Sequence, residues 1–269
     1  MSLILISCLF VLIGITAGVL SVMYGLGGGF FVVPFLYWIF KLFNFNDDLL
    51  MHLAVGTSLM VMIFTAANSS YFHYKNSGLL FELFYKFCPS LMIGTIAATI
   101  LTNYLSTAYL RIGFTTFLLY LVVSGVLKHF KHGKKPSKPF KMPSAFMTNG
   151  FGLIAGFIST LLGIGGSTIT VPFLRHYNLP MIKAVGIASL LTLPISCVGT
   201  LGYLYIGFNL PDLPPYSTSY IYWPAAVGII LGTMIGVPIG GKLIDLLNEK
   251  WHELTYFILL SVVFLAMIV

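Results

Sequence analysis

The second half of this chain repeats the first half. Residues 18–36 align with residues 156–174 at an offset of 138, with nine identities in 19 positions. The glycines and the proline stay in register through this alignment. A repeat of this kind predicts two copies of one structural unit. We expect the halves to be residues 1–128 and 143–269, joined by the basic linker 129–142.

Long apolar runs fill both halves and exclude most soluble classes of protein. Of the 269 residues, 58% are hydrophobic and 8% are charged, whereas soluble domains carry about 25% charged residues. So few charges cannot keep a surface of this size in water, which excludes a soluble enzyme, a nucleic-acid binder and a disordered chain. We therefore predict a polytopic membrane protein with the lipid bilayer as its surroundings and no nucleic-acid partner.

The apolar runs also predict how often the chain crosses the membrane, since one helical crossing needs about 20 residues. We predict six full spans, at about 50–74, 83–104, 107–128, 181–206, 219–241 and 253–269. Residues 3–43 and 143–174 are broken by clustered glycines and a proline, which disfavour helix. We expect each to form a re-entrant hairpin. The predicted fold class is all-α integral membrane, with two inverted-topology repeats, about six full transmembrane helices and two Gly/Pro-broken re-entrant hairpins.

The distribution of lysine and arginine predicts the orientation. The linker region 128–141 holds six lysines and should face the cytoplasm. If each broken stretch returns to its own side, 12 basic residues face the cytoplasm and 2, Lys41 and Arg111, face outside. If each broken stretch crosses once, the balance falls to 8 against 6. The positive-inside rule thus favours an inverted pair of repeats in the cell inner (cytoplasmic) membrane.

The two glycine clusters are the strongest candidates for a binding site. Irregular backbone inside a membrane is tolerated only where protein or a water-filled cavity satisfies its polar groups. The helix that follows each cluster presents free amide groups and a positive dipole end, which suit an anion. The alternative is that the glycines only allow close helix packing. That packing role is the one we predict for Gly94/Ala98/Thr102 and for Gly232/Gly236/Gly240.

The duplicated Gly-x-Gly-Gly-Gly…Val-Pro-x-Leu pattern, the Ala54-Val55-Gly56-Thr57-Ser58-Leu59 run and the basic central linker resemble the sulfite exporter TauE/SafE family. This resemblance covers essentially the whole chain. It implies an inner-membrane carrier of small sulfur-containing oxyanions such as sulfite or organosulfonates. The second half departs from the pattern, with Ser167 closing its glycine cluster and Ala188-Ser189-Leu190 in place of Thr57-Ser58-Leu59.

Hydroxyl groups near the clusters complete the predicted substrate site. Its members are Ser21, Gly25, Gly27, Gly28, Gly29, Thr57, Ser58, Ser159, Gly163, Gly165, Gly166, Ser167 and Ser189. Outside this set, we expect Asn68 to bond between helices and His73 to lie at the membrane interface near Lys75.

Two other function classes stay open at this point: an intramembrane enzyme and a non-transporting membrane partner subunit. The enzyme is disfavoured because Gly-x-Ser-x-Gly and His-Glu-x-x-His motifs are absent from the sequence. We expect no catalytic residues, no metal and no cofactor, and a small anion as the partner. The sequence leaves a homodimer open.

Overall fold

The computed structural model of the protein describes residues 3–25, 28–130, 140, 142–208, 210–244, 261–265 and 267. The described residues leave out Gly27, most of the linker that forms the predicted domain boundary, and most of the predicted span 253–269. Within the described ranges the elements are α1 Leu3–Tyr24, α2 Gly29–Leu42, α3 Leu50–Ser77, α4 Phe81–Thr102, α5 Thr107–Phe130, α6 Ala145–Leu162, α7 Ser167–His176, α8 Met181–Ile206, β1 Ser217–Thr218, β2 Ile221–Tyr222 and α9 Trp223–Ile244.

The all-α integral membrane class is confirmed. Seven helices of the described part are long and apolar enough to cross a membrane. Five of them, α3, α4, α5, α8 and α9, correspond to predicted full spans. The other two, α1 and α6, are the first arms of the broken stretches. Because the glycine clusters come only after 22 and 18 helical residues, these arms already measure about 33 and 27 Å.

Each broken stretch nevertheless returns to the end of the bundle from which it started. We call the end that holds residues 43–49, 103–106, 207–208 and 210–222 the loop-rich end. The end with residues 78–80 and 177–180 is the opposite end. Helix α1 starts at the loop-rich end, where Phe10 packs against Gly228 early in α9. Helix α2 comes back there, since the Phe40 ring contacts the Tyr222 ring. Each broken stretch is therefore a hairpin, as the sequence predicted.

The second hairpin starts and finishes at the opposite end. The ring of Phe173, in α7, stacks on that of Phe151, early in α6, with centroids 3.9 Å apart. The hydroxyl of Tyr177 donates to the sulfur of Met147, in the first turn of α6. The two hairpins thus enter the bundle from opposite ends.

Glycine seams join helices from different halves. Helix α1 lies parallel to α9, and a side chain at Gly232 or Gly236 would strike the α1 backbone. Helix α6 lies parallel to α4 in the same way, with Gly94 against the α6 backbone and Gly156 against the α4 backbone. The packing role predicted for Gly94, Gly232, Gly236 and Gly240 is confirmed, because each of these glycines lies against a neighbouring backbone.

The apolar core has two parts that follow the seams. The larger core cluster is built mainly from α1, α2, α3, α5 and α9, together with the loop-rich end. The second cluster is built from α4, α6, α7 and α8 with Leu179. Helix α3 therefore belongs to one unit and α8 to the other, and the long α3–α8 contact lies between them.

The α1–α9 seam yields a stability prediction. In Gly232→Val, the new Cβ would lie 2.7 Å from the Gly14 Cα, so the two helices must separate. Overpacking of this kind costs about 1–3 kcal/mol. We expect the melting temperature of the purified protein to fall by several degrees. Gly150→Val is the matched control, since nothing lies within 4 Å of a side chain there. Equal melting temperatures for the two variants would contradict the seam.

Candidate functional site

The two glycine breaks meet inside the bundle. A side chain at Gly29, the first residue of α2, would collide with the carbonyl oxygen of Gly163, which ends α6. The hydroxyl of Ser58, on α3, donates to the same carbonyl oxygen at 3.1 Å. Three predicted site residues from three different helices are therefore in direct contact.

Glycine suits the breaks because of their backbone conformation as well as the limited space around them. Gly25, Gly28, Gly163 and Gly165 all have positive φ, from 65° to 78°, a region in which a Cβ is unfavourable. Gly166 differs, with a helical φ of −66°, and a side chain there would meet the end of the Ile195 side chain and the Thr192 hydroxyl. Positive φ thus occurs at the first-half Gly28 and not at its counterpart Gly166.

Both short helices start at a break without a side-chain cap. Gly28 and Gly166 occupy the N-cap positions of α2 and α7, and neither can offer a capping side chain. The first amides of an α-helix have no partner within the helix, and the helix dipole places partial positive charge there. The bundle interior therefore contains two helix N-termini that are suited to hold negative charge.

Contacts of the breaks with α3 and α8 repeat across the two halves. Gly25 contacts Val185 on α8, and Gly163 contacts Val55 on α3. Both pairs fit an offset of 138 for the hairpins and 130 for α3 and α8. The candidate site therefore lies along the α3–α8 contact, and each break touches both helices.

This offset corrects the sequence alignment of α3 with α8. At an offset of 130, Ser58 corresponds to Ala188, and Ser189 corresponds to Leu59. The two α3–α8 contacts Ser69–Ser189 and Leu59–Gly199 are related in this way. The sequence pattern pairs Ser58 with Ser189, because a one-residue gap brings the two Ser-Leu pairs together. The site is asymmetric here, since Ala188 has no hydroxyl with which to repeat the Ser58 bond.

Three predicted site hydroxyls are fully buried and have no hydrogen-bond partner among the described residues. They belong to Ser21, Ser159 and Ser167. Ser21 and Ser159 are equivalent residues in the last turn of α1 and α6, and Ser167 follows the second break directly. An unsatisfied buried polar group costs about 1–3 kcal/mol. All three lie within one turn of a break, which makes them candidate donors for a ligand.

The remaining predicted residues already have partners. Thr57 accepts a hydrogen bond from the backbone N–H of Tyr222 at 3.0 Å, which ties α3 to the loop-rich end. Ser189 shares a 3.1 Å hydrogen bond with Ser69 across the α3–α8 contact. A substrate role for Thr57 and Ser189 stays a prediction, as it does for the glycines and for Ser58.

His73 lies near the end of α3, close to the exposed Lys75, as the sequence led us to expect. Its side chain is nevertheless only 2% exposed, and its Nε2 lies 3.2 Å from the carbonyl oxygen of Val22 on α1. A helix end of this kind buries one face against its neighbours and exposes the other. The position of His73 at the membrane interface stays a prediction.

Among the described residues, no charged side chain is a nearest neighbour of the breaks. The nearest atoms to Gly25, Gly28, Gly29, Gly163 and Gly166 belong to Val, Ala, Thr, Met, Ser and Ile side chains or to backbone. The Lys and Arg side chains that the structure describes are exposed or half-buried and lie toward the ends of the helices: Lys41, Lys75, Lys86, Arg111, Arg175, Lys183 and Lys242. The described surroundings of the breaks therefore offer dipoles and hydroxyl groups, not charged side chains.

Sequence reasoning missed several residues that line the breaks. Thr65 lies against Gly28, and Ile195 and Thr192 lie against Gly166. Thr65 and Ile195 are equivalent at the offset of 130. An ungapped alignment of α3 with α8 is the signal that would have found them.

Comparison with known proteins gives a family and several relatives. A family described as sulfite exporter TauE/SafE matches residues 10–267. A probable membrane transporter protein of Haemophilus influenzae is 28% identical over 218 residues, 81% of each chain. One from Methanocaldococcus jannaschii is 28% identical, over 90% of this chain and 86% of the relative. The probable membrane transporter protein YunE of Bacillus subtilis is 25% identical, over 94% and 92%. No solved structure matches the chain.

The unpartnered serines yield a prediction that separates ligand binding from packing. Ser21→Ala and Ser159→Ala remove buried hydroxyls that the empty protein does not satisfy, so the melting temperature without anion should stay level or rise. The stabilisation produced by a bound anion should shrink, since a donor is lost. The measurement is a thermal-shift series in sulfite for each variant.

The matched control is Ser70→Ala, because the Ser70 hydroxyl is buried but donates to the Ala67 carbonyl of its own helix. This variant should keep the full anion shift. Serine variants that melt lower than the parent and respond to anion normally would show that the two hydroxyls serve the fold alone.

Proposed function

This chain belongs to the sulfite exporter TauE/SafE family, and we propose that it is a secondary carrier of a small sulfur-containing oxyanion across the cell membrane. Sulfite and organosulfonates are the proposed substrates. The observation that carries the proposal is the meeting of the two glycine breaks between α3 and α8, with the uncapped N-termini of α2 and α7 beside them. An inverted pair of broken helices is the arrangement that secondary transporters use to hold a substrate near the midplane.

The donors around the breaks suit an oxyanion in number and kind. The α2 and α7 N-termini offer amide groups, and Ser21, Ser159 and Ser167 offer hydroxyls that lack partners within the described part of the chain. A sulfite or sulfonate group carries three oxygens that can each accept from more than one donor. A hydrogen bond to a charged group contributes about 1.5–3 kcal/mol, so a few of them support micromolar-to-millimolar binding.

Weak binding without a full positive charge also fits a carrier. A buried Lys or Arg would hold the anion tightly and would itself be costly inside the membrane. Amide and hydroxyl dipoles attract the anion without that cost and allow it to leave. We propose no catalytic role for these residues.

The described charges support one orientation in the membrane. Lys75, Lys86, Arg175, Lys183 and Lys242 lie at the opposite end, whereas Lys41 and Arg111 lie at the loop-rich end with Asp47, Asp48 and Asp212. Because the positive-inside rule places lysine and arginine in the cytoplasm, we propose that the opposite end faces the cytoplasm of the inner membrane.

The test is anion exchange in proteoliposomes that contain the purified protein. Radiolabelled sulfite should exchange with internal sulfite or sulfoacetate. Gly28→Val should lower the exchange rate at least tenfold, because a β-branched residue is strained at φ +78° and would crowd the break. Gly150→Val should exchange like the parent, since its side chain meets open space.

Two results would contradict the proposal. One is a folded protein that exchanges none of the sulfur oxyanions, which would favour the partner-subunit alternative. The other is Gly28→Val protein that exchanges sulfite at the parental rate, which would remove the breaks from the transport path. An enzyme would instead be indicated by chemical conversion of a lipid or peptide in the same vesicles.

A further inference from the structure

We propose that α3 and α8 carry two gates, one at each end of the substrate site: His73 over Gly186 at the opposite end, and Tyr203 with Tyr220 over Gly56 at the loop-rich end. The inference rests on the proposed carrier function and identifies the residues that close the site on each side. It follows from contacts that recur at the two ends of one helix pair.

The gate at the opposite end is a buried imidazole against a glycine. A side chain at Gly186 would have its Cβ 2.9 Å from the Cβ of His73 and 2.9 Å from the Leu79 side chain. The ring of His73 is also held on α1 by the Val22 carbonyl. Only glycine at position 186 allows α3 and α8 to close this tightly.

The gate at the loop-rich end is a buried phenol pair against a glycine. A side chain at Gly56 would have its Cβ 3.2 Å from the Tyr203 ring and 3.0 Å from the Cβ of Tyr220. Tyr203 is fully buried, and its carbonyl accepts a 2.7 Å hydrogen bond from Ser219, which fixes the turn that carries Tyr220. Tyr220 stacks on His52 of α3.

The two gates are equivalent positions of the repeat. Gly56 and Gly186 are 130 residues apart, and so are His73 and Tyr203, which is the offset that relates α3 to α8. Each helix therefore contributes a glycine at one end and a bulky ring at the other. An antiparallel pair built in this way is closed at both ends by the same device.

Each gate is next to a break in the chain. Val185, which contacts Gly25, directly precedes the gate glycine Gly186, and Val55, which contacts Gly163, directly precedes Gly56. A ligand that moves a break therefore presses on the residue beside a gate. The breaks and the gates form one continuous contact along α3 and α8.

The two apolar cores supply the parts that move. Helix α3 packs in the unit with α1 and α9, and α8 packs in the unit with α4 and α6, each unit sealed by a glycine seam. A tilt of one unit against the other would part α3 from α8 at one end while the other end stays closed. Alternating access of this kind is the expected motion of an inverted-repeat carrier.

Disulfide locking tests the gates in protein whose native Cys8, Cys88 and Cys197 are replaced by alanine. The gate pair is His73→Cys with Gly186→Cys, whose Cβ atoms lie close enough for a disulfide after a small shift. The control pair is Thr95→Cys with Thr160→Cys, whose hydroxyls are 3.1 Å apart across the α4–α6 seam. We expect oxidation to lower sulfite exchange at least tenfold in the gate pair, with recovery on reduction, and to leave the control pair unchanged.

Two outcomes would overturn the gates. One is a fully cross-linked His73→Cys/Gly186→Cys protein that exchanges sulfite as fast as its dithiol form. That result would show that transport does not require this contact to open. Loss of exchange in both oxidised pairs would show that α4 and α6 do not move as one unit.

A second measurement does not depend on transport. Spin labels on Lys75→Cys and Lys183→Cys, both exposed at the opposite end, report the separation of α3 and α8 there. The gates predict two distance populations whose ratio changes with sulfite. A single population in protein that exchanges sulfite would refute the gates. If no anion is exchanged at all, two populations would still support the gates while the proposed function fails.

Discussion

The constraint on which this structure depends is the hydrogen-bonding demand of backbone amides inside a membrane. Two helices are interrupted within the bundle, and lipid could not satisfy the groups that the interruptions expose. The protein places both breaks against each other and between α3 and α8, so that Gly29 lies on the Gly163 carbonyl and Ser58 bonds to it. Beside the breaks, the buried hydroxyls of Ser21, Ser159 and Ser167 have no partner among the described residues. We propose that an oxyanion uses these hydroxyls together with the N-termini of α2 and α7.

Close helix packing at the two glycine seams supports this arrangement of the breaks. The α1–α9 and α4–α6 seams bring backbones into contact through glycine, and they join helices from different halves of the sequence. The units that pack as cores are therefore not the two sequence repeats. Each unit takes one helix from the other half, which places α3 and α8 face to face at the boundary. The proposed substrate site and the proposed gates both lie on this boundary, which is the surface along which we propose that the two units move.

Much of this could be predicted from the sequence, since the main signals are local. The positions of the breaks follow from glycine and proline after about 20 apolar residues, and the seam at Gly232 follows from small residues at four-residue spacing. The register of α3 against α8 could not be predicted. An alignment with a one-residue gap matches the residue types of the two helices better than the offset of 130 that relates their contacts. The burial of His73 and the contact between Gly29 and Gly163 arise from helices far apart in sequence. Hydropathy carries no information on such contacts.

The central claim is that dipoles and hydroxyls at the meeting of the two breaks hold the anion without a lysine or arginine. A crystal or cryo-electron structure with bound selenite, whose selenium can be located by anomalous scattering in the crystal, tests it directly. The account predicts the selenium between the N-termini of α2 and α7, within hydrogen-bonding distance of Ser21, Ser159 or Ser167. Selenium bound instead to Lys41 and Arg111, in the open cleft of about 690 Å³ at the loop-rich end, would contradict it.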